Sequence, residues 1–177
     1  MIRIFKDIQA KASIKAVRTR YRFFAVLKTL LDVNVWIVII YRLSSIFSKL
    51  KLYPVSKLFW LFNRIIFTVD IDPRADLAGG LMLVHGMNIV IGHEVRSQGK
   101  LRIFQGATVG GNSGKSRVIN GEMIRQPIFY DDVTVGINSC VLGPVTIGEN
   151  SIVGTGAIVT KDVPSNSTIV SVNKVIA

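Results

Sequence analysis

The chain has 177 residues, of which 49% are hydrophobic, and this is enough for one well-packed domain with an appendage. The composition excludes a disordered protein, and the single cysteine, Cys140, excludes an internal disulfide. The two histidines are too few for a three-histidine zinc site, so we expect no metal.

The excess of positive over negative charge lies in the N-terminal third of the chain. Residues 1–64 contain 13 Lys/Arg and 2 Asp/Glu, whereas residues 65–177 contain nine of each. This asymmetry predicts a basic appendage that meets an anionic surface, and not a nucleic-acid-binding domain. The first twenty residues are charged throughout, where a secretory signal needs an apolar core. We therefore expect a cytoplasmic protein, peripheral on the inner face of the cytoplasmic membrane.

Residues 1–69 have the pattern of a basic amphipathic helical region. Apolar residues recur at three- and four-residue intervals from Leu52 to Val69, which predicts a helix that starts near Pro54. The longest uncharged run of residues 1–69, Val33–Tyr41, is shorter than the ~20 apolar residues that a membrane-spanning helix needs. Two roles stay open for the apolar stripe: it lies in an anionic membrane surface, or it packs between subunits of an oligomer.

A six-residue repeat defines the rest of the chain, residues 70–177. The repeated aliphatic positions are Val135, Val141, Ile147, Val153 and Val159, with small or aliphatic residues four positions after each. Gly136, Gly148 and Gly154 follow three of them, as a positive φ or close backbone packing requires. One buried aliphatic residue per six predicts a mainly β fold, a triangular parallel β-helix with a continuous core.

The repeat is interrupted at two places. Ile71, Leu77 and Leu83 share one register, and Ile91 resumes it after a two-residue slip at His85. The polar stretch 112–127 breaks the repeat completely, so we expect it to project from the domain as a functional loop.

The segments DIDPRADLAGGLMLVHGMNIVIG, GATVGGNSGK, RQP and VGINSCVLGPVTIGENSIVGTGAIVTKDVP resemble the hexapeptide-repeat acyltransferases of the serine acetyltransferase type. The basic N-terminal region is more similar to the capsule and colanic-acid biosynthesis acetyltransferases of that superfamily. The resemblance implies a left-handed β-helix, a homotrimer, and acetyl transfer from acetyl-CoA to a hydroxyl in clefts between subunits.

The resemblance also assigns catalytic residues. His85 takes the position of the general base and Asp70 that of the aspartate that orients it. This fits the chemistry, because an alcohol is a poor nucleophile until a base removes its proton, and imidazole titrates near neutral pH. A carboxylate on the second ring nitrogen fixes the tautomer. The alternative for His85 is a structural histidine bonded to a backbone carbonyl in a β-helix corner.

Candidate acetyl-CoA contacts follow from the same resemblance. The glycine-rich run would approach CoA closely, glycines of later repeats would line the pantetheine channel, and two lysines would meet the nucleotide phosphates. For each lysine, a solvated corner charge is the alternative. In chain order these candidates are Gly110, Gly111, Gly114, Lys115, Gly136, Gly154, Thr155, Gly156, Lys161 and Lys174.

The acceptor is the point at which the sequence departs from the family pattern. Val84 stands where serine acetyltransferases have an aspartate, and Gln126 stands in place of a histidine, between the retained Arg125 and Pro127. Since valine cannot bind an ammonium group, we expect the acceptor to be a sugar hydroxyl of polysaccharide biosynthesis, on a lipid-linked or a soluble saccharide. Serine O-acetylation is the alternative, and a non-catalytic β-helical membrane-docking scaffold is the alternative of another class.

Overall fold

The computed structural model describes residues 2–16 and 29–171, which form three helices followed by a β domain. The helices are α1 (Ile2–Ala16), α2 (Val33–Lys49) and α3 (Tyr53–Ile66). The strands are β1 (Val69–Ile71), β2 (Leu81–Val84), β3 (Ile89–Ile91), β4 (Arg96–Ser97), β5 (Leu101–Phe104), β6 (Thr108–Gly110), β7 (Arg117–Ile119), β8 (Glu122–Ile124), β9 (Ile128–Phe129), β10 (Val133–Val135), β11 (Cys140–Leu142), β12 (Thr146–Ile147), β13 (Ile152–Val153), β14 (Ile158–Val159) and β15 (Thr168–Ile169).

The strands form the three parallel faces of a β-helix. The first sheet has the order β1-β3-β6-β11-β14, the second β2-β5-β10-β13-β15, and the third β4-β9-β12. Val135 pairs with Val153 and Val141 with Val159, so one coil takes eighteen residues, three hexapeptides. In the first coil Ile71 pairs with Ile91 and Leu83 with Ile103, which adds two residues. The slip at His85 is therefore a real insertion in one corner.

The repeated aliphatic positions form the core. Val135, Val141, Ile147 and Val153 are all 0% exposed, and they belong to one continuous buried cluster. Their burial follows from the period, because each sixth residue points into the coil and stacks on its counterpart in the next one. The predicted parallel β-helix with an N-terminal helical region is confirmed.

The glycines that follow the core positions are required by close backbone packing. A Cβ built on Gly136 would lie 2.6 Å from the carbonyl oxygen of Val153, and one on Gly154 would lie 2.7 Å from that of Ile169. The left-handed corner positions belong instead to asparagines such as Asn138 (φ 51°) and Asn150 (φ 55°). Of the two explanations left open by the sequence, close packing is correct for these glycines.

The stretch that interrupts the repeat contains an antiparallel hairpin, β7 paired with β8. The Arg117 guanidinium donates two hydrogen bonds of 2.6 Å to Asp162, which hold the pKa of that carboxyl below its usual value. Arg96 pairs with Glu122 on the other strand. The projecting segment is thus tied to the coils at both strands.

The helices are attached to the first coil by buried polar contacts. Arg42 of α2 forms an ion pair with Asp7 of α1 at 2.8 Å, with both side chains 5% exposed. The same guanidinium donates to the carbonyl oxygens of Leu77 and Ala78. Burial raises the pKa of Tyr41 to about 12, so its hydroxyl stays a neutral donor to Ala75. No helix in the described part of the chain is both long and apolar enough to cross a bilayer.

Candidate functional site

His85 occupies the corner that contains the two-residue insertion. It directly follows β2, adopts a left-handed backbone conformation with φ 53°, and is exposed. The backbone beside it is held from α2, because Gly86 N–H donates to Asn34 Oδ1. Among the described residues the imidazole has no hydrogen-bond or ion-pair partner. An exposed histidine without a partner in its own chain is able to meet a substrate, and it is not bonded to a corner carbonyl.

Asp70 lies in the middle of β1, beside Val90 of β3. One carboxylate oxygen accepts a hydrogen bond of 2.8 Å from Trp60 Nε1, and the other lies 3.6 Å from Arg64 Nη1. The Arg64 guanidinium lies over the Trp60 ring, at 5.1 Å from its centroid. Within the protomer, therefore, α3 supplies the partners of Asp70, and no hydrogen bond joins Asp70 to His85. The assignment of these two residues as a catalytic pair stays a prediction.

The first sheet has two edges, and the candidate residues lie on both. We name the corners that precede its strands the leading edge (85–88, 105–107, 136–139 and 154–157) and those that follow them the trailing edge (92–95, 111–127, 143–145 and 160–162). Backbone hydrogen bonds such as Gly106 N–H to Met87 and Gly156 N–H to Ile137 stack the leading edge. With three-residue strands, the edges are about 10 Å apart at ~3.3 Å per residue.

His85 shares the leading edge with the later glycines. Gly136 lies directly against Gly154 and Thr155 of the next coil, and Gly156 has φ 67° with open space where a side chain would be. These residues leave exposed backbone in line with the His85 corner. Val84 is half-buried at the end of β2, where it pairs with Phe104.

The glycine-rich run lies on the trailing edge. Gly110 ends β6, and its carbonyl accepts a hydrogen bond from Gly143 N–H at 2.9 Å. A Cβ added to Gly110 or Gly114 would meet nothing within 4 Å, so the backbone here is open to a ligand. Lys115 and Lys161 are both exposed on this side. Lys174 lies outside the described residues.

The end of the insertion contacts the trailing edge through Arg125 and Gln126. Arg125 Nη1 lies 3.2 Å from Glu94 Oε1. Gln126 is 8% exposed, and its Oε1 accepts from Glu94 N–H while its Nε2 lies 3.3 Å from His93 Nδ1. The amide of Gln126 is thus occupied by its own chain, whereas Arg125 and Glu94 present opposite charges at the surface.

Sequence reasoning missed the contributions of α2 and α3 to the site. Trp60, Arg64 and Asn34 come from the helices, and the hexapeptide period carries no information about them. For α2, one signal in the sequence was Asp32. Its side chain accepts a hydrogen bond from Asn34 N–H and so marks where that helix begins. In the described part of the chain no group of three or more side chains has the composition of a metal site.

Comparison with known proteins assigns the family. No family model matches the chain. The chain is 34% identical over 132 residues to a serine acetyltransferase of Bacillus pumilus. The aligned region covers 75% of this chain and 58% of that enzyme. It is 33% identical to a serine acetyltransferase of Helicobacter pylori, covering 73% of this chain and 72% of that enzyme. The chain spans 49% of the Buchnera aphidicola serine acetyltransferase, so some relatives are about twice as long as the matching part.

Solved structures agree with the sequence relatives. The serine acetyltransferase of Neisseria gonorrhoeae in complex with serine has a TM-score of 0.80 and 28% identity, covering 97% of this chain and 68% of that chain. That of Brucella abortus in complex with coenzyme A has a TM-score of 0.79 and 26% identity, covering 97% and 64%. The fold is therefore the left-handed parallel β-helix, as expected.

These relatives overturn the sugar acceptor expected from the sequence. They are serine acetyltransferases, and one of the structures contains serine; none of those cited here is a capsule or colanic-acid enzyme. The inference of a sugar acceptor rested on Val84 and Gln126, as an argument from two positions. The structure weakens that argument, because Gln126 is bound by its own chain and Glu94 offers a carboxylate beside Arg125. The extent of the match to the Helicobacter pylori enzyme places this chain in the serine acetyltransferase family.

Proposed function

We propose that the chain is a serine O-acetyltransferase that uses acetyl-CoA as the acetyl donor. The observation that carries this proposal is the match to serine acetyltransferases over three quarters of the chain, including the His85 and Asp70 segments. The exposed imidazole and the open glycine backbone support the same chemistry.

In the proposed reaction, His85 removes the proton of the serine hydroxyl as its oxygen attacks the thioester carbonyl carbon. The tetrahedral intermediate then collapses, the carbon–sulfur bond breaks, and the imidazolium returns its proton to the CoA sulfur. Both substrates are bound together, so the reaction needs no acyl-enzyme. Asp70 acts as a positioning residue that stabilises the charged imidazole. Backbone N–H groups of the site would stabilise the oxyanion.

The trailing edge suits a zwitterionic acceptor. Arg125 and Glu94 offer a guanidinium and a carboxylate 3.2 Å apart, both reachable from solvent. A free amino acid carries a carboxylate, which can pair with the Arg125 guanidinium, and an ammonium group, which can pair with the Glu94 carboxylate. Arg125 therefore binds the serine carboxylate in this proposal, and Val84 shapes the apolar side of the pocket. Gln126 contributes indirectly by holding the Glu94 backbone.

We propose that the active unit is a homotrimer with sites between neighbouring subunits. The separation of the candidate residues onto two edges of one sheet supports this assembly. His85 and the Gly136 and Gly154–Gly156 backbone belong to one edge, and the glycine-rich run, Arg125 and Lys161 belong to the other. Joining the leading edge of one protomer to the trailing edge of the next would complete the site.

The direct test follows CoA release from acetyl-CoA with serine as the acceptor, and with threonine and a set of sugars for comparison. We expect release that depends on serine and saturates with it. Release with sugars but not with serine would contradict the proposed acceptor. Absence of both turnover and acetyl-CoA binding would contradict the enzyme itself and favour a scaffold.

The histidine variants test the base. We expect His85→Ala to lower kcat by about 10²- to 10⁴-fold, the usual contribution of general-base catalysis, with the oligomer intact in sedimentation. His93→Ala, measured at saturating serine because His93 contacts Gln126 and Glu94, is the control for loss of the chain's other histidine. It should cost less than about tenfold in kcat. Near-normal activity of His85→Ala would contradict its role as the base.

A further inference from the structure

Helix α3 faces α2 with two polar residues and with Phe59, whose ring stacks on that of Phe47 at 5.5 Å between centroids. Ser56 and Asn63 are its two buried residues. Ser56 exchanges hydrogen bonds with Ser44 of α2, and Asn63 Nδ2 donates to the carbonyl oxygen of Ile37 at 2.9 Å. A helix on the surface of a water-soluble protein normally buries its apolar stripe and exposes its polar side.

The outward side of α3 is apolar along its whole length. We name this surface the α3 apolar face. Its residues are Val55, Leu58, Phe62, Ile65 and Ile66, exposed by 36%, 66%, 49%, 71% and 57%. At 100° per residue these positions cover an arc of about 100°, the width of a stripe that ordinarily packs against something. The turn before the helix adds Leu50 and Leu52 to the exposed apolar residues, and Tyr53 at the first position of the helix is exposed as well.

Cations accompany this surface. Lys51 lies in the turn between the two apolar leucines, and Lys57 lies on α3 itself; both are exposed. Neither lysine has an acidic partner within residues 2–16 and 29–171. The segment 1–64 as a whole carries 13 Lys/Arg against 2 Asp/Glu. A partner that binds this surface therefore needs an apolar interior to receive these side chains and anionic groups at its edge.

We propose that the α3 apolar face and the α2–α3 turn bind the surface of an anionic lipid bilayer. The apolar side chains enter the boundary between headgroups and acyl chains, while Lys51 and Lys57 extend to the anionic headgroups. Attachment is peripheral, since a helix of 14 residues is too short to cross a hydrocarbon core. The serine acetyltransferase activity proposed above does not depend on this attachment.

A second copy of the chain fits the surface less well than lipid. A two-fold contact, unlike the edge-to-edge contacts of the proposed trimer, places the same patch of both copies face to face, so Lys51 and Lys57 of one copy would approach their equivalents. No carboxylate lies within the patch to balance them, since residues 50–66 contain no Asp or Glu. An anionic membrane supplies that balance and covers the apolar side chains at the same time.

The experiment is co-flotation of the full chain with vesicles. We expect binding to phosphatidylglycerol-containing vesicles, weak binding to pure phosphatidylcholine, and a decrease between about 0.05 and 0.5 M salt as the charges are screened. Leu58→Ser combined with Ile65→Ser should weaken binding by at least about tenfold, because two large apolar side chains no longer enter the lipid. Lys51→Glu with Lys57→Glu should remove the preference for anionic lipid.

The matched control is Ile158→Ser on the β-helix. Ile158 is 70% exposed, like Ile65 at 71%, and lies outside the proposed surface, so this variant should bind vesicles like the wild type. Sedimentation velocity without lipid is run on each variant. The proposal is overturned if the wild type does not float with anionic vesicles, or if the Leu58 and Ile65 variant floats equally well. It is also overturned if that variant dissociates the oligomer, because a second copy would then cover the face.

Discussion

Trp60 connects the helical region to the predicted catalytic carboxylate. Its indole N–H donates to Asp70 Oδ1 at 2.8 Å, and Arg64 stands beside the other oxygen. A hydrogen bond from one strong donor holds a carboxylate in a single orientation. Its remaining lone pairs then point in fixed directions, toward the His85 imidazole in the proposed reaction. In the proposed reaction Trp60 therefore acts through Asp70, as a positioning residue.

Replacing Trp60 tests this role. Trp60→Phe keeps an aromatic ring but removes the donor, and a hydrogen bond to a charged group contributes about 1.5–3 kcal/mol. We expect kcat to fall by about tenfold or more, with the KM for acetyl-CoA little changed. Steady-state kinetics measures both.

Trp36→Phe is the control, because Trp36 Nε1 donates to the carbonyl oxygen of Leu30 and not to Asp70. Equal kinetic losses in the two variants, or a change in KM alone at Trp60, would contradict a positioning role.

The sequence could indicate candidate residues only where the hexapeptide repeat, or a break in it, marks their positions. His85 and Asp70 are marked by the slip and by the family spacing, and the structure leaves the His85 imidazole exposed. Trp60, Arg64 and Asn34 could not be found in the same way. They reach the site through the packing of α2 and α3 on the first coil, which depends on tertiary contacts between segments of different pattern.

A buried charge pair helps to hold α1 and α2 to the β-helix. Arg42 and Asp7 are each 5% exposed, and Asp7 Oδ1 also accepts from the backbone N–H groups of Gly80 and Leu81. This single carboxylate therefore joins α1, α2 and the beginning of β2. Removing it would leave the Arg42 guanidinium buried without a counter-ion.

We expect Asp7→Ala to reduce the free energy of unfolding by about 3–5 kcal/mol, the cost of breaking a buried pair on one side. Asp76→Ala is the matched control, because Asp76 also joins the helices to the first coil, through Arg3, but is 54% exposed. That variant should lose less than about 1 kcal/mol. Urea denaturation of both variants gives the comparison. Similar small losses would show that the buried pair is not a principal attachment.

The elements of the β-helix were predictable because each strand obeys one period. Val135 to Val159 are buried at every sixth position, and the pairing of successive coils follows from that spacing. The β7–β8 hairpin was expected only as a loop, since its strands lie outside the period and pair with each other. Helix α3 begins at Tyr53, beside the expected Pro54, but the direction of its apolar side could not be read from the stripe.

At the scale of the whole molecule, the two edges of the first sheet separate the candidate site into halves. His85 belongs to the leading edge and the glycine-rich run to the trailing edge, about 10 Å away along three-residue strands. If each site takes one half from each of two neighbouring protomers, defects in different halves can compensate for each other.

Co-expression of two inactive chains tests this arrangement. One carries His85→Ala, and the other carries Gly110→Trp, which fills the open space beside that backbone. With random mixing in a trimer, we expect about a quarter of the sites to combine two intact halves, and a similar share of wild-type activity to return.

Each variant expressed alone is the control and should stay inactive. No recovery in mixed trimers purified through tags on both chains would mean that each site lies within one protomer.

The acceptor was the part of the function that the sequence predicted wrongly. Val84 and Gln126 differ from the family pattern, and both were taken as direct contacts, although Gln126 is bound to Glu94 and His93 of its own chain. A difference at a position indicates a different ligand only if the side chain faces that ligand. The fold and the donor were safer inferences, because many repeated positions support them together.

The insertion at residues 112–127 leaves the coils around it in register. Val109 pairs with Val141 and Ile103 with Val135 as directly as if no residues had been added. The register of the core strands therefore does not depend on the length of this segment, which is attached to the coils by the ion pairs of Arg117 and Glu122 and by the buried Gln126. Changes at the exposed positions away from those contacts can accumulate without shifting the coils, so related proteins are free to diversify what they recognise while keeping one architecture.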